Sequence, residues 1–192
     1  MRNQLLIAIT FALALPVAAQ ENLKKSFGKP DIKLTETTER EGKTILRFEH
    51  ESVPEWSYEK PQSDYFFVLP PEGQPKDRPL QVVLHSAGHS GEAVLEQSFQ
   101  KPGWFHNVGL KDHYVLYLDC RKNMNDWWWG AEYLKRDKKY QDSYTPTEKR
   151  VLTTIEWVIE TAQIDRNRVY LSGVSMGGSG SLGIGLCRGD IF

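Results

Sequence analysis

The chain is poor in cysteine and has no excess of either charge. Its only cysteines are Cys120 and Cys187. No Cys-x-x-Cys pair or mixed Cys/His cluster has zinc spacing, so neither a metal knuckle nor a dense disulfide scaffold is expected. The two thiols read as small buried hydrophobes, although export would permit a bond between them. A formal net charge of -1 leaves no basic face to hold a phosphate backbone, which excludes nucleic acid as a partner. Charge runs such as Lys135 to Lys139 mix both signs and read as solvated loop. Long apolar runs are also missing beyond the first twenty residues, so no later segment is expected to cross a membrane.

The one apolar stretch, Leu5 to Leu15, follows Arg2 and ends at Pro16. Val17, Ala18 and Ala19 then supply a small-residue cleavage site before Gln20. The stretch is too short to span a bilayer, so residues 1–19 read as a cleaved signal peptide and the mature protein as secreted or periplasmic. An uncleaved N-terminal anchor is the rival reading.

Hydrophobic residues at 40% and charged residues at 26% of 192 allow one globular domain with a real core. Residues 20–62 read as a polar N-terminal segment, flexible or edge-lying, with one alternating strand at Thr44 to His50. Ser63 to Leu69 is a second strand, stopped by Pro70 and Pro71. Leu80 to His85, His113 to Leu118 and Val169 to Leu171 are nearly continuous apolar runs, as in strands buried on both faces. A weak helix is expected near 90–100. A strong one follows Thr145-Pro146-Thr147-Glu148, a capping box with proline at the first helical position. Val151, Ile155, Val158 and Ala162 continue it at helical spacing. Alternating strands and helices predict an α/β fold, a mostly parallel sheet covered by helices, with antiparallel strands leading in at its edge.

Arg168 to Gly178 (RVYLSGVSMGG) carries the chemistry. A buried strand runs into Gly173-Val174-Ser175-Met176-Gly177, a G-x-S-x-G sequence before a further helix. A nucleophile on a sharp strand-to-helix turn projects its hydroxyl above the sheet, and the positions two before and two after must lack bulk. Gly173 and Gly177 meet that demand and make Ser175 the candidate nucleophile. Such a site also needs backbone N–H donors for the tetrahedral oxyanion, each worth about 3 kcal/mol. The N–H of Met176 is one, and the loop His85-Ser86-Ala87-Gly88 after an apolar strand supplies the place for another. His85 and His89 read as loop histidines. Their spacing would suit a zinc pair only on a helix, which Gly88 argues against, so no metal is expected.

The segments IDRNRVYLSGVSMGGSG and LHSAGHSG together resemble the extracellular esterase branch of the α/β-hydrolase superfamily. That branch holds polyhydroxybutyrate-depolymerase-like and feruloyl or acetylxylan esterases, and merges into prolyl-oligopeptidase-like peptidases. The resemblance covers residues 63–192 and implies an α/β-hydrolase domain whose first part only is present. It further implies Ser175 as nucleophile, with Met176 and the Ser86 or Ala87 backbone in the oxyanion hole. The family has His-Gly where this chain has His85-Ser86, and the extra Cβ leaves the second donor open between Ser86 and Ala87.

Three features compete with this reading. Gly178 to Gly183 satisfies G-x-G-x-x-G, but a dinucleotide site needs those glycines in the turn after the strand, and here they fall inside the helix. No lysine follows them, which excludes a P-loop, and no cofactor is expected. Trp127-Trp128-Trp129 lies on a loop beyond a buried strand. With His85 these rings are candidate substrate contacts, stacking on sugar or phenolic groups of a small-molecule or polysaccharide-linked ester. The alternative is a hydrophobic cluster pinning the loop. Finally, the triad order of this fold is Ser, then Asp or Glu, then His, yet His50, His85, His89, His106 and His113 all precede Ser175. The expectation is therefore an N-terminal part, truncated after the nucleophile helix, with roughly 80 to 120 further residues supplying the acid and the His. A prolyl-oligopeptidase-like peptidase, or a non-catalytic binding domain if the chain naturally ends at 192, are the alternatives.

Overall fold

The computed structural model describes residues 31–51, 56, 63–73, 75–100, 111–120, 127–129 and 144–192. The expected signal peptide lies outside them. In chain order the elements are β1 (Ile32–Arg40), β2 (Lys43–Glu51), β3 (Ser63–Leu69), β4 (Leu80–Leu84), α1 (Gly91–Gln100), β5 (Tyr114–Leu118), α2 (Pro146–Thr161), β6 (Val169–Gly173) and α3 (Met176–Cys187). Among the described residues no helix is long and apolar enough to cross a membrane.

The strands form one six-stranded mixed sheet in the order β1-β2-β3-β5-β4-β6. β1, β2, β3 and β5 pair antiparallel in succession, while β4 pairs parallel with both β5 and β6. The N-terminal segment thus holds two strands where the sequence pattern marks one. β1 is almost wholly exposed, so no apolar alternation advertises it. It is held by pairing with β2 across a two-residue turn at Glu41 and Gly42, both at positive φ (51° and 76°), the conformation that matches strand twist in a tight hairpin.

Both faces of the sheet are covered at β4 and β5, which explains their apolar runs, whereas β6 lies at the sheet edge with Tyr170 46% exposed and is not buried on both faces as its apolar run suggests. Leu80, Val82, Leu84, Leu116 and Leu118 pack with Val151, Leu152, Ile155 and Val158 of α2 and with Met176 and Ile184 of α3. The alternate positions Val83, Val115 and Tyr117 pack with Val94 and Leu95 of α1 on the other face. α2 starts as the sequence predicts. Thr145 Oγ1 accepts from the Glu148 N–H at 3.2 Å, and the Thr145 N–H donates to Glu148 Oε2 at 2.8 Å. Ser90 Oγ accepts from the Ala93 N–H at 3.0 Å and caps α1 in the same manner.

β5 and β6 lie on opposite sides of β4, so the winding of the chain reverses there. In open α/β sheets the crevice for a ligand lies at such a point, outside the carboxyl ends of the strands. A buried ionic tie underlies that end. Arg150 of α2 donates through Nη1 to Asp64 Oδ2 at 2.6 Å and to the Asp119 carbonyl at 2.8 Å. Asp119 Oδ2 in turn accepts from the Gly91 N–H at 2.9 Å. One guanidinium thereby links β3, the end of β5 and the start of α1. Its partner cannot be lost cheaply, because a buried charge would stand uncompensated. Asp64→Ala should destabilise the fold by about 3 kcal/mol or more, read as a lowered denaturant midpoint at unchanged slope. A change below about 0.5 kcal/mol, the scale of an exposed pair, would refute that role.

Candidate active site

Ser175 stands between β6 and α3, is exposed, and adopts φ 55° and ψ -117°. That is a strained conformation for a residue with a Cβ, and it aims the side chain away from the sheet. The strain is held by close backbone approach. A Cβ on Gly173 would lie 2.4 Å from the carbonyl carbon and oxygen of Gly177, and one on Gly177 would lie 2.0 Å from the Leu84 carbonyl oxygen. The Gly177 N–H donates to the Val174 carbonyl at 3.0 Å and closes the turn. Gly178, Gly180 and Gly183 fall inside α3, not in the preceding turn, as a dinucleotide site would require.

The loop after β4 is pressed against this turn. The His89 N–H donates to the Ser86 carbonyl at 3.1 Å, with Gly88 at φ 76° in between. Ser86 Oγ donates to the Val174 carbonyl at 2.7 Å, which brings the loop within hydrogen-bond reach of the residue preceding Ser175. No hydrogen bond of this turn uses the N–H of Ser86 or Ala87. The N–H of Met176 belongs to the first turn of α3, where no carbonyl of its own helix can reach it. The loop that carries Ser86 and Ala87 is thus tied to the turn that carries Ser175 and leads into Met176.

His85 differs from the expectation of a substrate contact, being only 1% exposed. Its Nδ1–H donates to the Ser86 carbonyl at 2.9 Å, and its Nε2 accepts from the Cys120 N–H at 3.0 Å. These partners define a neutral tautomer with both nitrogens committed, so the ring serves neither a metal nor a proton transfer. Burial holds its pKa below the ordinary 6.5, outweighing the Ser86 carbonyl and the Asp119 carboxylate, which favour the charged form. His89 Nδ1 lies 3.2 Å from Gln97 Nε2. Among the described residues no cluster could hold a metal ion.

The three tryptophans separate. Trp128 is fully buried, its Nε1 donating to the His85 carbonyl at 3.0 Å, so the expectation that it contacts substrate is corrected. Its side chain fills the space a Cβ on Gly180 would need, with its Cβ at 2.5 Å and the ring's Cγ at 2.8 Å. Trp129 lies over Gly183 and donates to Ser179 Oγ at 3.1 Å. Trp127 is exposed at 41%, while Trp129 is partly buried. The helical glycines, which look costly at about 1 kcal/mol each against alanine, are the seats of these indoles. Cys120 is buried, and Cys187 is exposed as a free thiol.

No family model matches the chain, and no curated protein matches it by sequence. Solved structures do match. A protein assigned as an acetyl xylan esterase from Bacteroides fragilis superposes with a TM-score of 0.62 at 15% identity, over 91% of this chain and 50% of its own. A ferulic acid esterase from the anaerobic fungus Anaeromyces mucronatus superposes with a TM-score of 0.52 at 18% identity, over 84% of this chain and 64% of its own. The chain thus has the α/β-hydrolase fold and spans between half and two thirds of the length of these proteins.

The His85 tautomer predicts a pH dependence. Below 6.5 the unfolded chain binds a proton that the folded ring resists, so stability is present above that pH and is lost as pH falls through the lowered folded value. Melting temperature should fall between pH 7.5 and 5, and His85→Gln should flatten the slope. His113, also held below 6.5 by burial, adds to the same slope. An undiminished slope in His85→Gln would place the effect elsewhere.

Proposed function

We propose that the protein is a secreted or periplasmic serine hydrolase that cleaves carboxylic esters through an acyl-enzyme on Ser175. The observation that carries this reading is the exposed Ser175 at φ 55°, on a turn tied to the loop after β4 by the Ser86 hydroxyl. Ser175 Oγ attacks the ester carbonyl as a base takes its proton. The resulting oxyanion is held by the N–H of Met176 and by that of Ser86 or Ala87, the alkoxide leaves, and water then hydrolyses the acyl-serine by the same route.

Three of the four described histidines are not placed to act as the base. His85 has both nitrogens bound to backbone. His50 lies within β2 and packs edge-on against Trp56. His113 precedes β5, at the opposite end of the sheet from the turn at Ser175. The acid and the histidine are proposed from the order of this fold, in which both follow the serine in sequence. The likeness to an acetyl xylan esterase and a ferulic acid esterase favours an acetyl or feruloyl ester over a peptide. Trp127, the most exposed of the three indoles, is the ring proposed to stack on such a sugar or phenolic group.

In the full-length protein a fluorophosphonate probe should label Ser175. Ser175→Ala should abolish labelling and lower kcat by about 10⁴-fold or more. Labelling that survived the substitution would remove Ser175 from the role. Trp127→Ala should raise KM for feruloyl or xylosyl esters about 2- to 10-fold, the size of an aromatic contact of about 0.5–1.5 kcal/mol, while barely moving the melting temperature. A loss of several kcal/mol of stability, as for a truncated core tryptophan, would make it a packing residue instead.

A further inference from the structure

Ser86 is half-buried, follows β4, and uses its side chain in an unusual direction for an oxyanion loop. Its hydroxyl does not face the open space above Ser175. It donates at 2.7 Å to the Val174 carbonyl, which already accepts the Gly177 N–H at 3.0 Å. A single carbonyl inside the turn thereby holds both the turn itself and the neighbouring loop. The Ser86 carbonyl is fixed from the other side by the His89 N–H at 3.1 Å and by the His85 ring at 2.9 Å. With its carbonyl and hydroxyl both occupied, the peptide joining Ser86 to Ala87 has little freedom to rotate.

We infer that the Ser86 hydroxyl is a positioning group, a strut that sets the distance between the loop donors and the Met176 N–H. The inference rests on the reading of Ser175 as nucleophile. An oxyanion is stabilised fully only when donors on both loops lie 2.7–3.1 Å from it, a distance near which errors of about 1 Å are expensive. The two loops belong to different strands, so sheet pairing alone leaves their tips free to separate. Glycine, which the resembling family carries at this place, has no hydroxyl to tie them. The bond also occupies Ser86 Oγ, so that it is neither a competing nucleophile nor a ligand for substrate.

The experiment uses the full-length chain with p-nitrophenyl acetate as substrate and a trifluoromethyl ketone as inhibitor, whose hemiketal oxygen occupies the oxyanion position. Ser86→Ala should lower kcat about 10-fold, less than the 10²–10³ lost with a whole donor, and weaken the ketone by a similar factor. KM and melting temperature should change little. Ser86→Gly should behave the same way, and Ser86→Thr, which keeps the hydroxyl, should restore both quantities. If wild-type protein turns over substrate and is labelled at Ser175, yet Ser86→Ala leaves kcat and ketone affinity unchanged, the strut is refuted alone. The same holds if Ser86→Ala only lowers the melting temperature. Absence of labelling in the wild type overturns the nucleophile assignment, and the strut with it.

Discussion

The structure depends on one contact that contains no side chain. The backbone at Gly177 lies on the carbonyl of Leu84, where a single added carbon would sit 2.0 Å from the oxygen. Such an overlap cannot be relieved by repacking, because both partners are main chain held in secondary structure. Everything at the site follows from that approach. It places the turn after β6 against the loop after β4, allows Ser86 to reach Val174, and forces Ser175 into the conformation that presents its hydroxyl to solvent. The parallel pairing of β4 with β6 from Leu80↔Val169 to Leu84↔Gly173 brings the two ends level, so the contact forms where both strands stop.

Beneath this lies a polar layer and beside it an aromatic one. Arg150 joins β3, β5 and the start of α1 through Asp64 and Asp119, fixing the helix that leaves the loop after β4. On the other side Trp128 binds the His85 carbonyl through its indole N–H, and its ring packs edge-on to the His85 imidazole at 4.9 Å between centroids. His85 is thus a structural residue. Its ring spans from the loop to Cys120 after β5, joining the ends of two adjacent strands. The loop is held at its start by this ring and at its end by the Asp119 carboxylate on the Gly91 N–H, leaving only its tip, at Ala87 and Gly88, facing solvent.

Much of the architecture was legible because its signals are local. Buried parallel strands need unbroken apolar runs, and β4 and β5 have them. The capping box at Thr145 and Glu148 announces α2 within four residues, and the G-x-S-x-G spacing reports a steric demand that glycine alone satisfies. What escaped reading depends on partners distant in sequence. β1 owes its existence to pairing with β2, since its side chains face water and carry no pattern. The burial of His85 and Trp128 follows from their contact with each other across 43 positions, which no short window reveals. The indoles at 127, 128 and 129 look alike in sequence, yet one is exposed, one buried and one intermediate. Positive φ at both Trp127 and Trp128 (50° and 69°) breaks any simple alternation of facing.

The seating of Trp128 on Gly180 and of Trp129 on Gly183 has an evolutionary consequence. Each indole occupies the volume that a methyl group on the helix would take, so neither member of a pair can change freely while the other stays. A descendant that replaced Gly180 by alanine would have to move the residue at 128 as a whole, whose Cβ would lie 2.5 Å away, and one that replaced Gly183 would have to displace the ring at 129. These positions should therefore vary together among relatives. A lineage that remodelled the loop around residues 127–129 would leave its trace in the glycine content of the helix behind the nucleophile.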